Sequence, residues 1–452
     1  MKILIVYANR YRMLAPLPLG ASLVADRLRR DGHEVRLLDL MFARSLPEAL
    51  ARALDGFAPA LIGISLRNVD TQSRSDFVDF LPGYRNLVAA LRAAAPGATI
   101  LLGGSAFTTF PQNYLRELGA DYGLAGDDLA PISHFVASLA AGSPDLATPG
   151  LVYREGAEVR ANPYQIVGYA GVPFQGWDLI DLRPYRRHFL GMWDASVVVR
   201  TGCPFQCVFC DTFRTFGRQW VLRDPRQVAE EIVTLRRRHG VRSLFFADAG
   251  FNRPLDHAKA VLEEIVRARP GVDLCGIFEP GEVDEEFVRL YRRAGGSQVM
   301  AFCTSLAEPV LAAQRKPFQV SEALDGMRHL RQGGVQVSLA LNLGGPGETP
   351  ATIEETLRRA EKIPTIFTWL DRGYRVQPET ALCALALREG VVAPGDDCFR
   401  ATFYFSPATP EPLVAARMKE FNRRHPAGLN WASLAWTLTY ARQKAAAWLG
   451  LS

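Results

Sequence analysis

No apolar run in this 452-residue chain reaches the roughly 18 uncharged residues that a membrane-spanning helix needs, so no transmembrane segment is expected. Nor do lysine and arginine gather into a block dense enough to grip nucleic acid. The net charge of +5 is spread widely, and the tightest run, Arg236-Arg237-Arg238, ends a helical pattern where cations complement the helix dipole. Cysteine is scarce and poorly arranged for disulfides. Three of the seven crowd into one short run, while Cys275, Cys303, Cys383 and Cys398 show no ligand rhythm and read as buried structural thiols. This usage fits a reducing cytoplasm. The first residues enter a strand pattern at once and lack the layout of a signal peptide. What remains is an ordinary globular composition, 48% hydrophobic and 22% charged. By length the chain holds roughly two to three domains.

The crowded thiols are Cys203, Cys207 and Cys210, in the run Arg200-Thr-Gly-Cys-Pro-Phe-Gln-Cys-Val-Phe-Cys-Asp211. Three thiols spaced C-x3-C-x2-C, on a loop after an apolar strand, suit three irons of a four-iron cluster. Such clusters normally take four cysteines, so one iron is left open to a substrate or cofactor. A zinc site would pair this run with a second C-x2-C or with histidines. His188 lies upstream and His239 sits far along the next helix, so no such set is completed.

Residues 1–135 alternate strand and helix signals. Short apolar runs at 3–7, 34–38, 61–65, 99–102 and 122–125 suit buried parallel strands, and 19–30 has helical spacing that stops at Asp31-Gly32. The pattern is that of an open, doubly wound α/β sheet, whose ligands bind at the carboxyl ends of the strands. Two of those ends stand out. The third run continues into Ser65-Leu-Arg-Asn-Val-Asp70, and the fourth into Gly103-Gly104-Ser105, where a bulky ligand can approach the backbone closely. A plain turn explains the paired glycines equally well. Residues 136–194, rich in Pro, Gly and Trp, read as an ordered connector.

From 195 to 380 the alternation resumes, with strands at 196–200, 243–247, 274–278, 298–302, 336–341 and 365–376 and helices at 225–239, 255–268, 285–294, 320–332 and 351–362. The strand ends carry polar or glycine-rich segments: Ala247-Asp-Ala-Gly-Phe-Asn252, Leu343-Gly-Gly-Pro-Gly-Glu-Thr349 and Tyr374-Arg-Val-Gln-Pro-Glu-Thr380. Helix-entry turns explain Asp248, Asn252, Glu348 and Thr349 as readily as ligand contact does. The C-terminal region, 381–452, holds the segment 398–405, a helical stretch ending near Arg424 and another from Asn430. Trp431, Leu434, Trp436, Leu438 and Trp448 make the last apolar on more than one face. Packing over the barrel is the plainer reading; a membrane-surface or partner helix is the other.

These motifs resemble the radical S-adenosylmethionine (SAM) superfamily. The cysteine spacing with an aromatic, Phe209, before the last thiol matches its signature, and six strand-helix units match its partial (β/α)6 TIM-type barrel. The resemblance implies a [4Fe-4S] cluster held by Cys203, Cys207 and Cys210, whose open iron chelates SAM. It places Phe209, Asp248, Asn252, Gly344, Gly345, Gly347 and Gln377 against SAM. Two segments depart from the family pattern: Cys303-Thr-Ser305 replaces the usual Glu-Ser, and Pro378-Glu-Thr380 the usual Pro-Gly-Thr. Glu279, Ser305 and Gln377 are therefore the candidates for the SAM ribose or carboxylate.

The N-terminal region resembles the Rossmann-like cobalamin-binding domain found ahead of many such barrels. Ser65, Arg67, Asn68, Gly103, Gly104, Ser105, Phe107 and Gly126 are its implied corrinoid contacts. Many cobalamin domains ligate cobalt from below with a histidine after the first strand. Here that loop, Ala8-Asn-Arg-Tyr-Arg-Met-Leu-Ala-Pro16, has none, so the lower face is expected without imidazole and near Arg67 or Asn68. Together the resemblances imply an enzyme that reductively cleaves SAM to a 5′-deoxyadenosyl radical, abstracts hydrogen from an unactivated carbon and transfers a methyl group from methylcobalamin, which a second SAM regenerates. The expected function is C-methylation of a biosynthetic intermediate, secondary-metabolite or lipid-like, free or carrier-bound, with a one-electron reductant such as flavodoxin or ferredoxin. The alternatives are a cobalamin-dependent cyclisation, ring contraction or other rearrangement without methyl transfer, and a non-catalytic cobalamin- or cluster-binding regulator. Tyr185, Trp193, Trp369, Tyr374 and Tyr404 hint at a bulky or apolar ligand, although core packing accounts for most of them.

Overall fold

The computed structural model of the chain describes residues 1–13, 15–168, 176–187 and 193–425. The helix expected from Asn430, with its tryptophans, lies outside the described residues.

The N-terminal apolar runs form the parallel strands β1 (Lys2–Tyr7), β2 (Glu34–Asp39), β3 (Leu61–Ser65), β4 (Thr99–Gly103) and β5 (Tyr122–Leu124), in the order β2-β1-β3-β4-β5. The order reverses between β1 and β3, and the loops that diverge there leave a crevice at the carboxyl ends. Strand residues alternate between two helical layers. Ile3 and Ile5 pack with Leu19–Arg30 and Ala130–Ala140, while Leu4 and Val6 pack with Leu81–Ala94 and Pro111–Leu118. The sheet does not stop near residue 135. Strands β6 (Leu151–Glu155) and β7 (Glu158–Ala161), inside the segment read as a connector, extend it as an antiparallel hairpin.

The rest of the connector crosses to the second domain through buried Trp177, Ile180, Leu182 and Tyr185. Trp177 Nε1 donates to Glu231 Oε1 at 3.0 Å, and Arg223 Nη2 donates to the other carboxylate oxygen at 2.7 Å. These contacts pin the crossing to the helix Pro225–His239.

The second domain begins with β8 (Ala195–Val197) and a short antiparallel pair, β9 (Arg200–Thr201) and β10 (Val221–Leu222). It continues through β11 (Ser243–Phe246), β12 (Asp273–Phe278), β13 (Gln298–Thr304), β14 (Gln336–Leu343) and β15 (Phe367–Arg372). The parallel order β15-β14-β13-β12-β11-β8 is a six-stranded partial barrel, open between its two edge strands. Four of its helices, Pro225–His239, Leu255–Ala268, Glu285–Ala294 and Val320–Gln332, fall where the sequence pattern puts them. The first starts as its sequence demands: Asp224 accepts a hydrogen bond from Gln227 N at 3.0 Å, and Pro225 takes the first helical position.

The sixth strand differs from expectation. The stretch 365–376 breaks at Gly373, whose φ is +67°, because Phe405 fills the space that a side chain there would need. β15 therefore ends at Arg372, and β16 (Tyr374–Arg375) pairs antiparallel with β17 (Phe403–Tyr404) in the C-terminal region. The helix Glu411–Arg424 follows and packs against β15. Among the described residues no helix is long and apolar enough to cross a membrane.

Candidate cofactor and active site

The three-cysteine loop leaves β8 under tight backbone control. The carboxylate of Asp248, at the end of β11, accepts from Val199 N at 3.1 Å and Arg200 N at 2.7 Å. Burial pushes its carboxyl up to about 6, against the pull of the Arg200 guanidinium. Gly202 has φ +77°, and a Cβ there would lie 1.8 Å from Gln219 O, so only glycine fits the turn. The loop is then tied to its surroundings by Cys203 N to Gly217 O at 3.1 Å, Val208 N to Gln314 O at 3.1 Å, and Leu382 N to Val208 O at 2.8 Å.

All three thiols are free and half-buried. Among the described residues no three His, Cys, Asp or Glu side chains converge on one metal point. Burial pushes the Cys203 thiol up and that of Cys207 to about 11, with the Lys316 ammonium pulling Cys207 the other way. Iron, rather than the protein, would supply the charge that ionises them. Two buried cations flank the loop. Lys316 Nζ pairs with Glu279 Oε1 at 3.3 Å, and Arg200 donates to the carbonyls of Gly202, Gly250 and Arg253. Arg214, in the short helix after the loop, pairs with Glu379 and reaches Thr109 O of the N-terminal domain at 3.0 Å.

The residues expected against SAM divide into two groups. Asp248 and Asn252 are buried and occupied by backbone. Asn252 Nδ2 donates to Glu279 O at 2.7 Å and Gly281 O at 3.2 Å, while its Oδ1 accepts from Glu279 N at 3.0 Å. It holds Glu279 in place rather than reaching a ligand. The glycine-rich segment after β14 wraps a carboxylate: Gly344 N and Gly345 N donate to Glu348 Oε2 at 2.6 and 3.1 Å, and burial lifts that carboxyl to about 7. Gly345 is small because Tyr374 and Gln314 occupy the place of its Cβ, and Gly347 because Ala313 does. Tyr374 in turn packs on Phe209, with ring centroids 4.9 Å apart and the planes tilted by 47°. Phe209 and Gln377 therefore lie on the same wall as the cysteine loop.

The second group faces a need. Glu279 Oε2 and Gln377 Oε1 are buried without a hydrogen-bond partner, and so are Asn342 Oδ1 and Glu348 Oε1, two residues the sequence did not single out for SAM. Each such acceptor costs about 1–3 kcal/mol unless a donor arrives. An ammonium and ribose hydroxyls are donors of that kind, so the barrel mouth fits SAM. Ser305, by contrast, is fully buried on Thr356 and does not face the mouth.

At the carboxyl ends of β3, β4 and β5 lies a cavity of about 310 Å³. Ser65, Arg67, Gly103, Gly104, Ser105 and Gly126 line it, six of the eight expected corrinoid contacts. Gly104 has φ +94°, and a Cβ would stand 2.5 Å from Leu66 O. Ser105 Oγ donates to Arg67 O at 2.6 Å and fixes the two loops together. Asn68 lies off this wall, its carbonyl taken by Tyr84 OH at 2.8 Å. Phe107 is fully buried beneath Gly123 and supports the sheet instead. No histidine lines the cavity among the described residues. Its opposite wall is the barrel: Ser196, Val198, Thr215, Phe216 and Ala247. A flat macrocycle seated there would have one domain below it and the barrel mouth above.

Sequence reasoning missed Lys316, the Arg214 bridge and the Glu348 wrap. Arg200 was legible as the polar end of an apolar strand, but nothing in the pattern marks Lys316.

Comparison with known proteins bears on both halves. Residues 14–135 match the B12 binding domain and residues 197–360 the radical SAM superfamily. The chain is 25% identical over 436 residues to a tryptophan 2-C-methyltransferase of Streptomyces laurentii, covering 81% of this chain and 71% of that one. It is 27% identical over 330 residues to an anaerobic magnesium-protoporphyrin IX monomethyl ester cyclase of Synechocystis, covering 72% of this chain and 63% of that one. Its fold matches that of the radical SAM methyltransferase TsrM of Kitasatospora setae, solved with cobalamin and a [4Fe-4S] cluster, with a TM-score of 0.81 and 22% identity over 93% of this chain and 90% of that one. With its cysteine loop and barrel in the radical SAM domain and a B12 binding domain ahead of them, the chain has the make-up of a radical SAM enzyme that uses cobalamin.

Proposed function

We propose that this enzyme methylates a poorly reactive carbon of a biosynthetic intermediate. The observation that carries the reading is a shared wall: Ser196 of β8, and Val198 and Ala247 directly after β8 and β11, also line the corrinoid cavity. A substrate in the barrel would thus lie between the site for SAM and the site for cobalamin. When bound, the cluster and SAM supply a carbon-centred radical, and cobalamin supplies a methyl group.

The chain's own residues hold and separate these groups. Cys203, Cys207 and Cys210 would hold the cluster, with Arg200 and Lys316 supplying buried positive charge beside the thiolates. The unpaired oxygens of Glu279 and Gln377 would receive SAM's donors. Phe209 and Tyr374 close one side against water. On the other side, Gly103 and Gly104 would let the corrinoid approach the backbone, and Arg67 would stand beside it in the same cavity. An external one-electron reductant, such as flavodoxin or ferredoxin, would supply the electron to the cluster.

Anaerobic reconstitution tests the cofactors: about four irons per chain and a corrinoid absorption band are expected. Product mass then decides the reaction. A gain of one methyl group with S-adenosylhomocysteine supports methylation. Its absence, with a cyclised or rearranged product, favours the second reading, toward which the likeness to the magnesium-protoporphyrin cyclase points.

A further inference from the structure

On the strength of that reading, we propose that the barrel interior receives a neutral, ring-bearing apolar substrate against Phe302, and that it discriminates against substrates carrying a carboxylate or phosphate.

Strand alternation identifies the interior wall. On β13, Val299, Ala301 and Cys303 are buried in the layer between strands and helices, so Met300, Phe302 and Thr304 point the other way, into the barrel. On β14, Val337, Leu339 and Leu341 face the helices, leaving Ser338, Ala340 and Asn342 inside. The register sets Phe302 beside Ala340, and Ala340 beside Trp369 of β15. The floor is filled. Trp193 and Phe245 stack at 4.0 Å and form, with Cys275, an apolar cluster separate from the main core.

Above that floor the packing stops. Phe302 is 38% exposed, although β13 is a central strand with a partner on each side. A large aromatic in that position is not on the outer surface; it borders an open interior. Met300, Ile277, Ala340 and Trp369 around it are likewise only partly buried. Small Ala340 opposite bulky Phe302 leaves a slot shaped for a flat group. Trp369 also lines a cavity of about 680 Å³ along the free edge of β15, together with Phe367, Ser75, Glu361, Arg424 and His425.

Charge decides the class. Among the described residues, the inward positions of the six strands carry no lysine or arginine. The nearby buried cations are already engaged, Lys316 with Glu279 and Arg200 with three backbone carbonyls. The acids at the mouth include Glu279, Glu348 and Asp371. A substrate anion would be desolvated beside carboxylates and find no partner. A neutral ring system loses nothing and covers Phe302.

The test uses the cluster- and cobalamin-loaded enzyme, so that the corrinoid cavity is filled and cannot take the probe. Equilibrium dialysis at pH 7 compares 2-naphthol with 2-naphthoate, the same ring without and with an anion. The expected result is one saturable site for naphthol and binding of naphthoate at least tenfold weaker. Phe302→Asp is expected to weaken naphthol at least tenfold and Phe302→Leu a few-fold, while Leu146→Asp, on an exposed N-terminal loop, leaves it unchanged. Naphthoate binding as tightly as naphthol, or a Phe302→Leu enzyme identical to the parent in both affinities, overturns the proposal. Iron content and the corrinoid band are read on every sample. A parent chain that holds no corrinoid defeats the proposed function itself, whereas a loaded chain that prefers the anion defeats only the substrate class.

Discussion

Single residues carry two different kinds of information here. Cys203, Cys207 and Cys210 were legible from spacing alone, because a cluster fixes its ligands by local sequence. Replacing any one of them with Ala is expected to drop iron from about four per chain to below about one after anaerobic reconstitution. The corrinoid band is expected to persist in each variant, since the cysteines do not line the corrinoid cavity; metal analysis and absorbance on one sample check both points. Glu348 was legible as a helix start or a ligand contact but not as a wrap, because its carboxylate folds back on Gly344 N and Gly345 N through tertiary packing. Burial raises its carboxyl from 4.5 to about 7 in the folded chain. The folded state then binds the proton more tightly than the unfolded one. The associated stability is complete below about pH 4.5 and is lost as pH rises through about 7, a span worth about 3 kcal/mol. Glu348→Gln keeps an oxygen for the two amides but does not titrate, so its urea unfolding free energy is expected to fall less between pH 5 and pH 8, by about that amount. Asp248, lifted to about 6, titrates in the same sense and remains in the variant.

Elements were legible where their signals are local and illegible where a distant residue decides. The helix Pro225–His239 begins at an Asp-Pro pair and ends at Gly240 in the left-handed region, all within its own sequence. The sixth barrel strand is interrupted at Gly373 because Phe405 lies against it, and no window around 373 reveals that. The hairpin β6–β7 was absorbed into a connector for a similar reason: only the exposed edge of β5 tells it where to pair. The loops that seat the corrinoid depend on one such long-range constraint. Gly104, at φ 94° and ψ 174°, lies in a region that only glycine occupies readily, with Leu66 O 2.5 Å from any Cβ. Gly104→Ala is expected to cost at least about 2 kcal/mol and to push β4's loop off β3's. A lowered melting temperature together with substoichiometric corrinoid, at unchanged iron content, is the outcome that checks it.

At the scale of the whole molecule, two cofactor sites on different domains must face one substrate, and the chain secures this with a junction that sequence reading did not anticipate. Asp70 follows β3 and Arg375 lies in β16, a separation no motif spans; their side chains meet at 2.9 Å with each 3% exposed. Arg375 also donates to Phe399 O at 3.2 Å. Phe399, from the C-terminal region, inserts into the N-terminal domain's own core, its ring 5.4 Å from Phe110 and 5.1 Å from Tyr114. The second domain thus grips the first by one buried charge pair and one buried ring. Removing only the cation leaves Asp70 desolvated and unpaired, so Arg375→Met is expected to destabilise the chain by about 3–5 kcal/mol. The double variant Asp70→Asn, Arg375→Met strands no charge and is expected to regain most of that loss. Phe399→Ala, which opens a cavity without touching charge, is expected to cost about 3–5 kcal/mol and to add to the double variant rather than vanish in it. Urea unfolding of the parent, the Arg375 single variant, the double variant, Phe399→Ala and the triple variant measures these terms. Because Asp70 also closes the loop that bears Arg67, corrinoid occupancy is expected to follow the same order: lowest in the single Arg375 variant and recovered in the double. If occupancy stayed constant across the set while stability changed, the junction would hold the domains together without shaping the site between them.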